Sequence, residues 1–440
     1  MSSAILNAQA SSAVVSTINS SGGLKVPFIY NESDRLVPPH AIQLLNVPAD
    51  SGTPAANKST TFSIPKNGFM TGMWINAEFP DLGVTNTSDT STDAQTESIG
   101  GVLTLNTTDT VGVHALGYYR MIKEARLETS GRIIESLDTF SILARLSDMP
   151  YGKRRAIEKA ADMAGDPADY TNKYRRTLWL PFYFNGTNSV PDPRYAYNTL
   201  FNEPLRVVIT LNDCKTICKT SSATDFTAHV PSDMELLCRY AILDDKSTDA
   251  VVQANQGDGM LSQLISVMRS ESTAVVAGGS ASGGTTDCTI DLKNNEAVEA
   301  IYFAVTQEDA TPGFNSYKTA LKVQAPLEVT NVELKFNNAS ILSCPGHWVQ
   351  FHGRVGGEGD GTDAAQSSGM QYIYKIDFSL LSGWGTSNVV AMRELAQPQL
   401  LLTFKHNNTS KSHHVHVRYS TKAFLTTNSN SGRVSLSISS

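Results

Sequence analysis

A histidine cluster near the C-terminus is the best candidate for metal chemistry in the sequence. In the segment HHVHVRY (413–419), strand alternation would place His414 and His416 on one face. Imidazole nitrogens are common zinc ligands, so this pair could supply part of a metal site. Val415 and Val417 would occupy the other face, which explains the histidines equally well as the outward side of a half-buried strand. We favour the structural interpretation, since short motifs often mislead.

Three other patterns could bind metal or catalyse, and each lacks a necessary feature. The glycine-rich segment 356–361 lacks the ligand spacing of a calcium loop. Cys214 and Cys218 have no second cysteine pair to complete a zinc site. The carboxylate pairs at 244–245 and 308–309 lie beside turns, where we expect them to be solvated, whereas glycoside hydrolysis needs two carboxyl groups facing each other. With no GxSxG, HExxH or P-loop motif, the sequence predicts no metal site, no cofactor and no enzyme activity.

Two basic clusters could contact acidic partners. One is 153–155 (KRR), and the other comprises Lys173, Arg175 and Arg176. Such clusters can bind phospholipid headgroups or acidic proteins. A solvated helix start and loop is the alternative, and we favour it.

Sequons for N-glycosylation are the most frequent motif in the chain. Many of them are expected by chance in a sequence rich in Ser, Thr and Asn. Asn86, Asn106 and Asn185 are the strongest candidates, because they fall in predicted loops.

Composition limits the class of protein. The chain has 440 residues, of which 40% are hydrophobic and 18% charged. That length suits two domains of roughly 200 residues, and the Ser, Thr, Asn and Gly content is typical of a β-rich globular protein.

A net charge of −7 argues against direct nucleic-acid binding. No signal peptide is recognisable, and the five cysteines are predicted to be reduced thiols of a protein made in a cytosol.

The stretch 170–213 contains two strand-like runs of different character. Residues 178–184 (LWLPFYF) are almost entirely apolar, so we predict a strand buried on both faces. Residues 205–211 (LRVVITL) alternate, as expected for a half-buried strand. The first run supplies the predicted structural core residues, which are Trp179, Pro181, Phe182 and Phe184.

Many short runs of alternating residues continue on both sides of this stretch, and their density predicts sandwiches or jelly rolls. We expect an N-terminal arm at 1–24, a first half at 25–213, a linker at 214–233 and a second half at 234–440. Short helices are predicted around 137–146 and 261–268, where apolar residues recur every three or four positions. The two halves share no repeated words, so a duplication is inferred from architecture alone.

Five stretches carry a family resemblance in colinear order: Phe62–Pro80, Ala115–Ser136, Leu178–Leu211, Cys238–Ile265 and Ile301–Gln307. They resemble the major capsid proteins of nucleocytoplasmic large DNA viruses, of the phycodnavirus and iridovirus type. The resemblance covers roughly residues 25–440. It departs from the family at Ser130, where the family has glycine, at Phe140, where it has tryptophan, and at the Pro-Asp-Pro loop 191–193.

The resemblance implies an all-β protein of two tandem eight-stranded antiparallel jelly rolls with short helices in loops. It further implies a structural subunit that forms homotrimeric pseudo-hexagonal capsomers, which tile an icosahedral virion shell. The implied partners are further copies of the chain, minor capsid and penton proteins, and an internal membrane surface, with assembly in the host cytoplasm. The alternatives are a carbohydrate-binding or glycan-cleaving β-sandwich protein, or a capsid protein of the same fold from a virophage, polinton-like virus or membrane-containing phage.

Overall fold

The computed structural model describes residues 40–79, 96–98, 102–105, 109–113, 119, 121–129, 131–149, 157, 174–185, 204–212, 218–220, 231–243, 245, 256–257, 260–271, 274–276, 284–307, 327–352, 373–378, 389–405, 412–428 and 434–438. Within these ranges the chain forms 24 β-strands, two α-helices and one 3-10 helix, Met392–Glu394. The N-terminal arm 1–24 and the loop sequons Asn86 and Asn106 lie outside them.

The strands up to residue 243 are β1 His40–Pro48, β2 Ser59–Ile64, β3 Phe69–Phe79, β4 Thr96–Ser98, β5 Val102–Leu105, β6 Asp109–Val113, β7 Ile122–Thr129, β8 Arg132–Asp138, β9 Tyr174–Trp179, β10 Leu205–Leu211, β11 Cys218–Thr220 and β12 Ser232–Leu243. Helix α1, Thr139–Ser147, follows β8 directly. It confirms the helix predicted around 137–146.

The later strands are β13 Gln256–Gly257, β14 Met260–Ser270, β15 Ala274–Val276, β16 Thr285–Asp291, β17 Ala297–Gln307, β18 Val329–Phe336, β19 Ala339–Pro345, β20 Tyr374–Asp377, β21 Val390–Ala391, β22 Gln399–Lys405, β23 His413–Asn428 and β24 Val434–Ile438. Helix α2, Gly346–His352, follows β19.

Each half is a sandwich of two antiparallel sheets. In the first half, sheet 1 has the order β1-β12-β3-β9 and sheet 2 the order β2-β10-β7-β8, with a small additional sheet 3, β11-β6-β5-β4. In the second half, sheet 4 contains β13-β14-β23-β17-β20 with three short strands at its margin, and sheet 5 has the order β16-β22-β18-β19. The inner faces of each sheet pair are apolar, and the core of the first half continues onto sheet 4 through residues such as Met268, Ala300 and Ala304.

The two halves repeat one topology, strand for strand. Strands β1, β2, β3, β7, β8, β9, β10 and β12 correspond in chain order to β14, β16, β17, β18, β19, β20, β22 and β23, and the neighbours within the sheets match. These eight strands per half form the predicted tandem jelly rolls, so the expected all-β double jelly roll is confirmed.

Matching irregularities support the duplication. Both β7–β8 and β18–β19 are hairpins. In each of them the register shifts after the second residue pair from the turn. Gly131 in the first turn and Asn337 and Asn338 in the second have positive φ, as tight hairpins require. A second bulge lies between β12 and β3, and again between β23 and β17. Bulges are specific structural features, so two shared positions indicate a common architecture that the residue letters do not reveal.

The boundary between the halves differs from the prediction. Strand β12 was expected to open the second half at Met234, but it pairs with β1 and β3 in sheet 1. The predicted linker 214–233 contains β11, which pairs with β6. The reason is topological, since the last strand of a jelly roll returns beside its first strand and no local pattern encodes that return. The first half therefore extends through Leu243.

The helix predicted around 261–268 is wrong, because Met260–Ser270 is strand β14. Ile265, Val267 and Met268 are all buried, although Met268 projects from the face opposite to that of Ile265 and Val267. Sheet 4 is covered on both faces, by its own sandwich partner and by the first half. Its strands therefore lack the alternation that distinguishes strand from helix.

The apolar run 178–184 is buried as predicted, but only its first part is a strand. Strand β9 ends at Trp179, and the chain then turns with backbone bonds from the Phe182 amide to the Leu180 carbonyl (2.9 Å) and from the Asn185 amide to the Phe182 carbonyl (2.8 Å). Pro181 has no N–H to continue the ladder. Phe182 and Phe184 nevertheless lie in the core, as expected.

Three further observations complete the fold. The cysteines whose side chains the structure describes, Cys238, Cys288 and Cys344, are free thiols, as predicted. Burial raises the pKa of the Cys238 thiol to about 12 and therefore keeps it protonated. Of the helices described, none has the length and apolar character needed to cross a bilayer.

We predict that Phe182→Ala lowers the free energy of unfolding by about 3–5 kcal/mol, because it leaves a cavity in the core. Phe182 is 1% exposed. Phe424→Ala, at a phenylalanine that is 40% exposed, is the matched control and should cost less than half as much. Urea denaturation measures both, and equal losses would show that Phe182 is not a core anchor.

Candidate functional site: the seam between the halves and the exposed apolar faces

The main concentration of buried charge lies where the outer face of sheet 4 packs against β8 and α1 of the first half. We call this contact the seam, and its polar members are Glu135, Asp138, Arg145 and Asp148 of the first half with Ser266, Met268, Tyr302, Lys375, Asp377, His416 and Arg418 of the second.

Glu135 is the centre of the seam. Its carboxylate is fully buried and accepts from the Arg145 guanidinium at 2.5 Å, from the Tyr183 amide at 2.8 Å and from the Met268 amide at 2.9 Å. Arg145 also donates to the carbonyls of Pro181 and Ser266. One ion pair therefore joins β8, α1, the turn after β9 and strand β14 of the other half.

The electrostatic environment of Glu135 contains two opposing effects. Burial raises the pKa of its carboxyl, while the charge of Arg145 and the two backbone amides lower it, and the net effect is upward. Every oxygen of such a buried group must be satisfied, since an unpaired one costs several kcal/mol. The amides of Tyr183 and Met268, together with Arg145, supply the hydrogen bonds that the two oxygens need. The carboxylate is therefore a structural element.

A second buried cluster surrounds Lys375. Its ammonium lies 3.1 Å from Asp148 and 2.9 Å from Asp377, and the Tyr302 hydroxyl donates to the same Asp148 oxygen. Burial favours the neutral amine, but Asp148, with Tyr302 and Asp377, outweighs it and raises the pKa of Lys375. The amine is thus held as a cation, which suits an ion pair and not a nucleophile or base.

Asp138 and Arg418 form the third contact across the seam. Asp138 caps α1 by accepting from the Ser141 amide at 2.8 Å. Arg418 donates to the Asp138 carboxylate through Nε at 3.1 and 3.2 Å, and its guanidinium lies over the Phe140 ring at 5.5 Å. Burial tends to raise the pKa of Asp138, but the Arg418 bond and charge, together with Ser141, lower it.

His414 and His416 lie on the face of β23 that is turned towards the first half, whereas His413 packs against the Phe404 ring in the core of the second half. His416 lies 5.8 Å from the Phe140 ring and 2.9 Å from the Thr306 hydroxyl. The expected alternation is confirmed, since Val415 and Val417 are buried in the second core, while His414 and His416 on the other face are half-buried. Among the described residues no group of three or more His, Cys, Asp or Glu side chains could hold a metal ion.

The charged side chains of the seam are paired with one another. An open cleft of about 240 Å³ adjoins it, lined by Lys123, Glu124, Ser136, Asp138, Ser141 and Ser270. The one seam carboxylate in that cleft is already paired with Arg418. The buried charges therefore hold the halves in one arrangement, and sequence reasoning missed them because their partners lie far apart in the chain.

At two other predicted sites the structure differs from the expectation. The glycosylation prediction at Asn185 is wrong for this fold, because its side chain is buried and its amide donates to the carbonyls of Met73 (3.0 Å) and Leu180 (2.8 Å). In the second basic cluster, Arg176 is buried, and Arg175 lies 3.6 Å from Glu235. The cluster at 153–155 lies outside the described residues.

Exposed large apolar side chains occur at several places among the described residues, and two surfaces carry a pair of them each. One is the outer face of sheet 1, where Ile42 is 66% and Leu44 59% exposed and Arg239 lies over the Trp74 ring at 5.5 Å. We call it the sheet 1 face. The other is formed by β19 and α2, where Ile341 is 53% and Trp348 37% exposed, and we call it the β19–α2 face. Arginine and tryptophan are enriched at protein interfaces, so both are candidate contact surfaces.

Several structures of viral capsids share the fold of this chain. The protein of the PBCV-1 virus capsid model matches with a TM-score of 0.65 and 13% identity, over 94% of this chain and 99% of that chain. The Faustovirus major capsid protein matches with a TM-score of 0.58 and 10% identity, over 99% and 98%. The protein in the Sputnik virophage structure matches with a TM-score of 0.53 and 11% identity, over 94% and 92%. The shared feature is the double jelly-roll fold.

No protein-family model matches the chain, and no curated protein matches it in sequence.

We predict that Glu135→Leu lowers the free energy of unfolding by about 3–5 kcal/mol, because Arg145 remains buried without its partner. The double variant Glu135→Leu/Arg145→Met should recover only part of this loss, since the amides of Tyr183 and Met268 still lack an acceptor. Chemical denaturation of the parent, the two single variants Glu135→Leu and Arg145→Met, and the double variant completes the double-mutant cycle. Full recovery in the double variant would contradict the role given to the two amides.

The seam also predicts a pH dependence. Burial, with the charge of Arg418, lowers the pKa of His416 to about 4. Because the unfolded histidine binds a proton near pH 6.5 and the folded one near 4, stability is full above pH 6.5 and falls as the pH drops towards 4. The loss should approach about 2–3 kcal/mol. Asp138, whose pKa is lowered, adds a loss in the more acidic range, as the pH falls below the carboxyl's unfolded pKa.

Thermal melts between pH 7 and 4 check this expectation. The His416→Gln variant should have a shallower dependence of melting temperature on pH in that range. An unchanged slope would show that His416 is not the group responsible.

Proposed function

We propose that this chain is a major capsid protein, a structural subunit that self-associates to build a viral shell. The observation that carries the proposal is the whole-chain similarity to capsid proteins, which extends over both jelly rolls and 94–99% of this chain. A shared fold does not by itself imply a shared function. Here, however, the double jelly roll is accompanied by two surfaces with exposed apolar side chains, which are candidate contact surfaces between subunits.

The physical properties of the fold suit a shell. Each sandwich pairs its strands internally, and double-sheet jelly rolls manage the strand edges that would otherwise pair indiscriminately. The buried ion pairs of the seam fix the two halves relative to each other. A subunit of this kind can present fixed surfaces to its neighbours.

The assembly that we propose is a homotrimer with pseudo-hexagonal outline, which packs with further capsomers into an icosahedral shell of the virion. Minor capsid proteins, penton proteins and an internal membrane surface are the remaining proposed partners, and assembly would occur in the host cytoplasm. Obligate interfaces between such subunits commonly exceed about 2,000 Å². The protein is proposed to be structural and not an enzyme.

A glycan-binding or glycan-cleaving sandwich is the alternative from another class. Such a protein would present a groove with exposed Trp and Tyr side chains. In the described part of the chain, Trp179 is buried and Trp74 is covered in part by Arg239. Trp348 is exposed on α2 and does not line the cleft beside the seam. These positions favour the capsid proposal.

Light scattering of the purified protein tests the proposal. We expect a stable species near three times the 47.5 kDa chain mass, or larger shells visible by electron microscopy. A strict monomer that binds saccharides would overturn it in favour of the alternative.

A further inference from the structure

The duplication makes the surfaces formed by the eight shared strands of one half comparable with those of the other. Alignment of the shared bulges matches Arg239 of β12 with Ser420 of β23. Through the registers of the neighbouring strands, Leu44, which lies opposite Arg239, then matches Met268, which lies opposite Ser420. The same alignment matches Ile42 with Ser266.

The second pair of equivalent surfaces is the hairpin strand with its helix. Strands β8 and β19 are both seven residues long, carry a bulge at the same step and run directly into a helix. Position by position, Ile134 in β8 therefore matches Ile341 in β19, and Ser141 in α1 matches Trp348 in α2.

Among the described residues of one chain, one of the two possible contacts between these surfaces is made. The outer face of sheet 4 covers β8 and α1, which is the seam. Its counterpart in the first half, the sheet 1 face, and the counterpart of β8 and α1 in the second half, the β19–α2 face, do not cover each other. One chain thus carries one complete contact, together with the two surfaces that could form a second contact but do not meet.

Burial at equivalent positions shows the difference. Met268 is 1% exposed within the seam, whereas its counterpart Leu44 is 59% exposed. Ile134 is 2% exposed beside β14, whereas its counterpart Ile341 is 53% exposed. The same backbone position is thus covered in one half and open in the other.

The chemistry of the open pair is complementary. The seam uses Glu135 and Asp138, whose counterparts in β19 are the non-ionisable Leu342 and Pro345. The facing sheet carries Ile42 and Leu44 where sheet 4 has Ser266 and Met268. An apolar surface with Trp348 would therefore meet an apolar surface with Trp74 and Arg239, and burial of both is favourable by the hydrophobic effect.

We propose that the sheet 1 face of one copy docks on the β19–α2 face of a second copy, in the arrangement that sheet 4 adopts on β8 and α1 within the chain. The inference rests on the proposed self-assembly and names its contact surfaces. Because the two faces differ, the contact is heterologous, and it leads to a closed ring when the rotation between copies closes.

Two charge substitutions test the contact, one on each face. Leu44→Asp and Trp348→Asp should each weaken self-association at least about tenfold, since each puts an unpaired charge at the centre of an apolar interface. Val275→Asp is the matched control, because Val275 is 63% exposed and lies outside both faces. All three chains should melt close to the parent temperature, as the substituted positions are exposed.

Mixing the two disrupted chains provides a test specific to a head-to-tail contact. The Leu44→Asp chain retains an intact β19–α2 face, and the Trp348→Asp chain retains an intact sheet 1 face. Each chain alone should be monomeric, whereas an equimolar mixture should form dimers that grow no further. Analytical ultracentrifugation separates these species.

The outcomes distinguish this contact from the proposed function. A monomeric parent protein would overturn the self-assembly itself. A trimeric parent whose Leu44→Asp and Trp348→Asp variants remain trimeric would leave the proposed function standing and overturn the contact. Loss of assembly in the Val275→Asp control would also overturn it, because the effect would then not depend on the two faces.

Discussion

The fully buried Glu135 carboxylate is the constraint on which the arrangement of the two halves depends. It accepts from Arg145, from the Tyr183 amide in the turn after β9, and from the Met268 amide in β14 of the other half. A charge without water has to find all its partners in the protein, because the loss of any one of them costs several kcal/mol. The position of β14 against β8 is therefore specified by hydrogen bonds as well as by packing.

Further ion pairs cross the seam beside Glu135. Asp148 with Lys375 and Tyr302, and Asp138 with Arg418, each pair a first-half carboxylate with second-half donors. The same contacts explain why sheet 4 is buried on both faces. They also place His416 in a position where a proton is unfavourable, so that the junction between the halves responds to acid.

The duplication gives two versions of one contact with different chemistry. Within the chain the two surfaces are always joined, and a polar seam fixes their register. At the equivalent surfaces that lie open, the ionisable side chains of β8 are replaced by Leu342 and Pro345, and Leu44 stands in place of Met268. Association between separate chains loses translational and rotational freedom, which burial of apolar area can offset. The contact within the chain is therefore polar, whereas the surfaces available for contact between chains are apolar.

Part of the fold could be predicted because it is encoded locally. The alternation of 205–211 and 413–419 and the spacing of the apolar residues around 137–146 are each set by a few neighbouring residues, and the structure confirms them. The order of the motifs was enough to indicate a double jelly roll. Only tertiary structure decided that β12 returns to sheet 1, that 261–268 is a strand, that Asn185 is buried, and that Glu135 meets Met268. Each of these depends on which distant surface covers a segment, and periodicity cannot report that when both faces are covered.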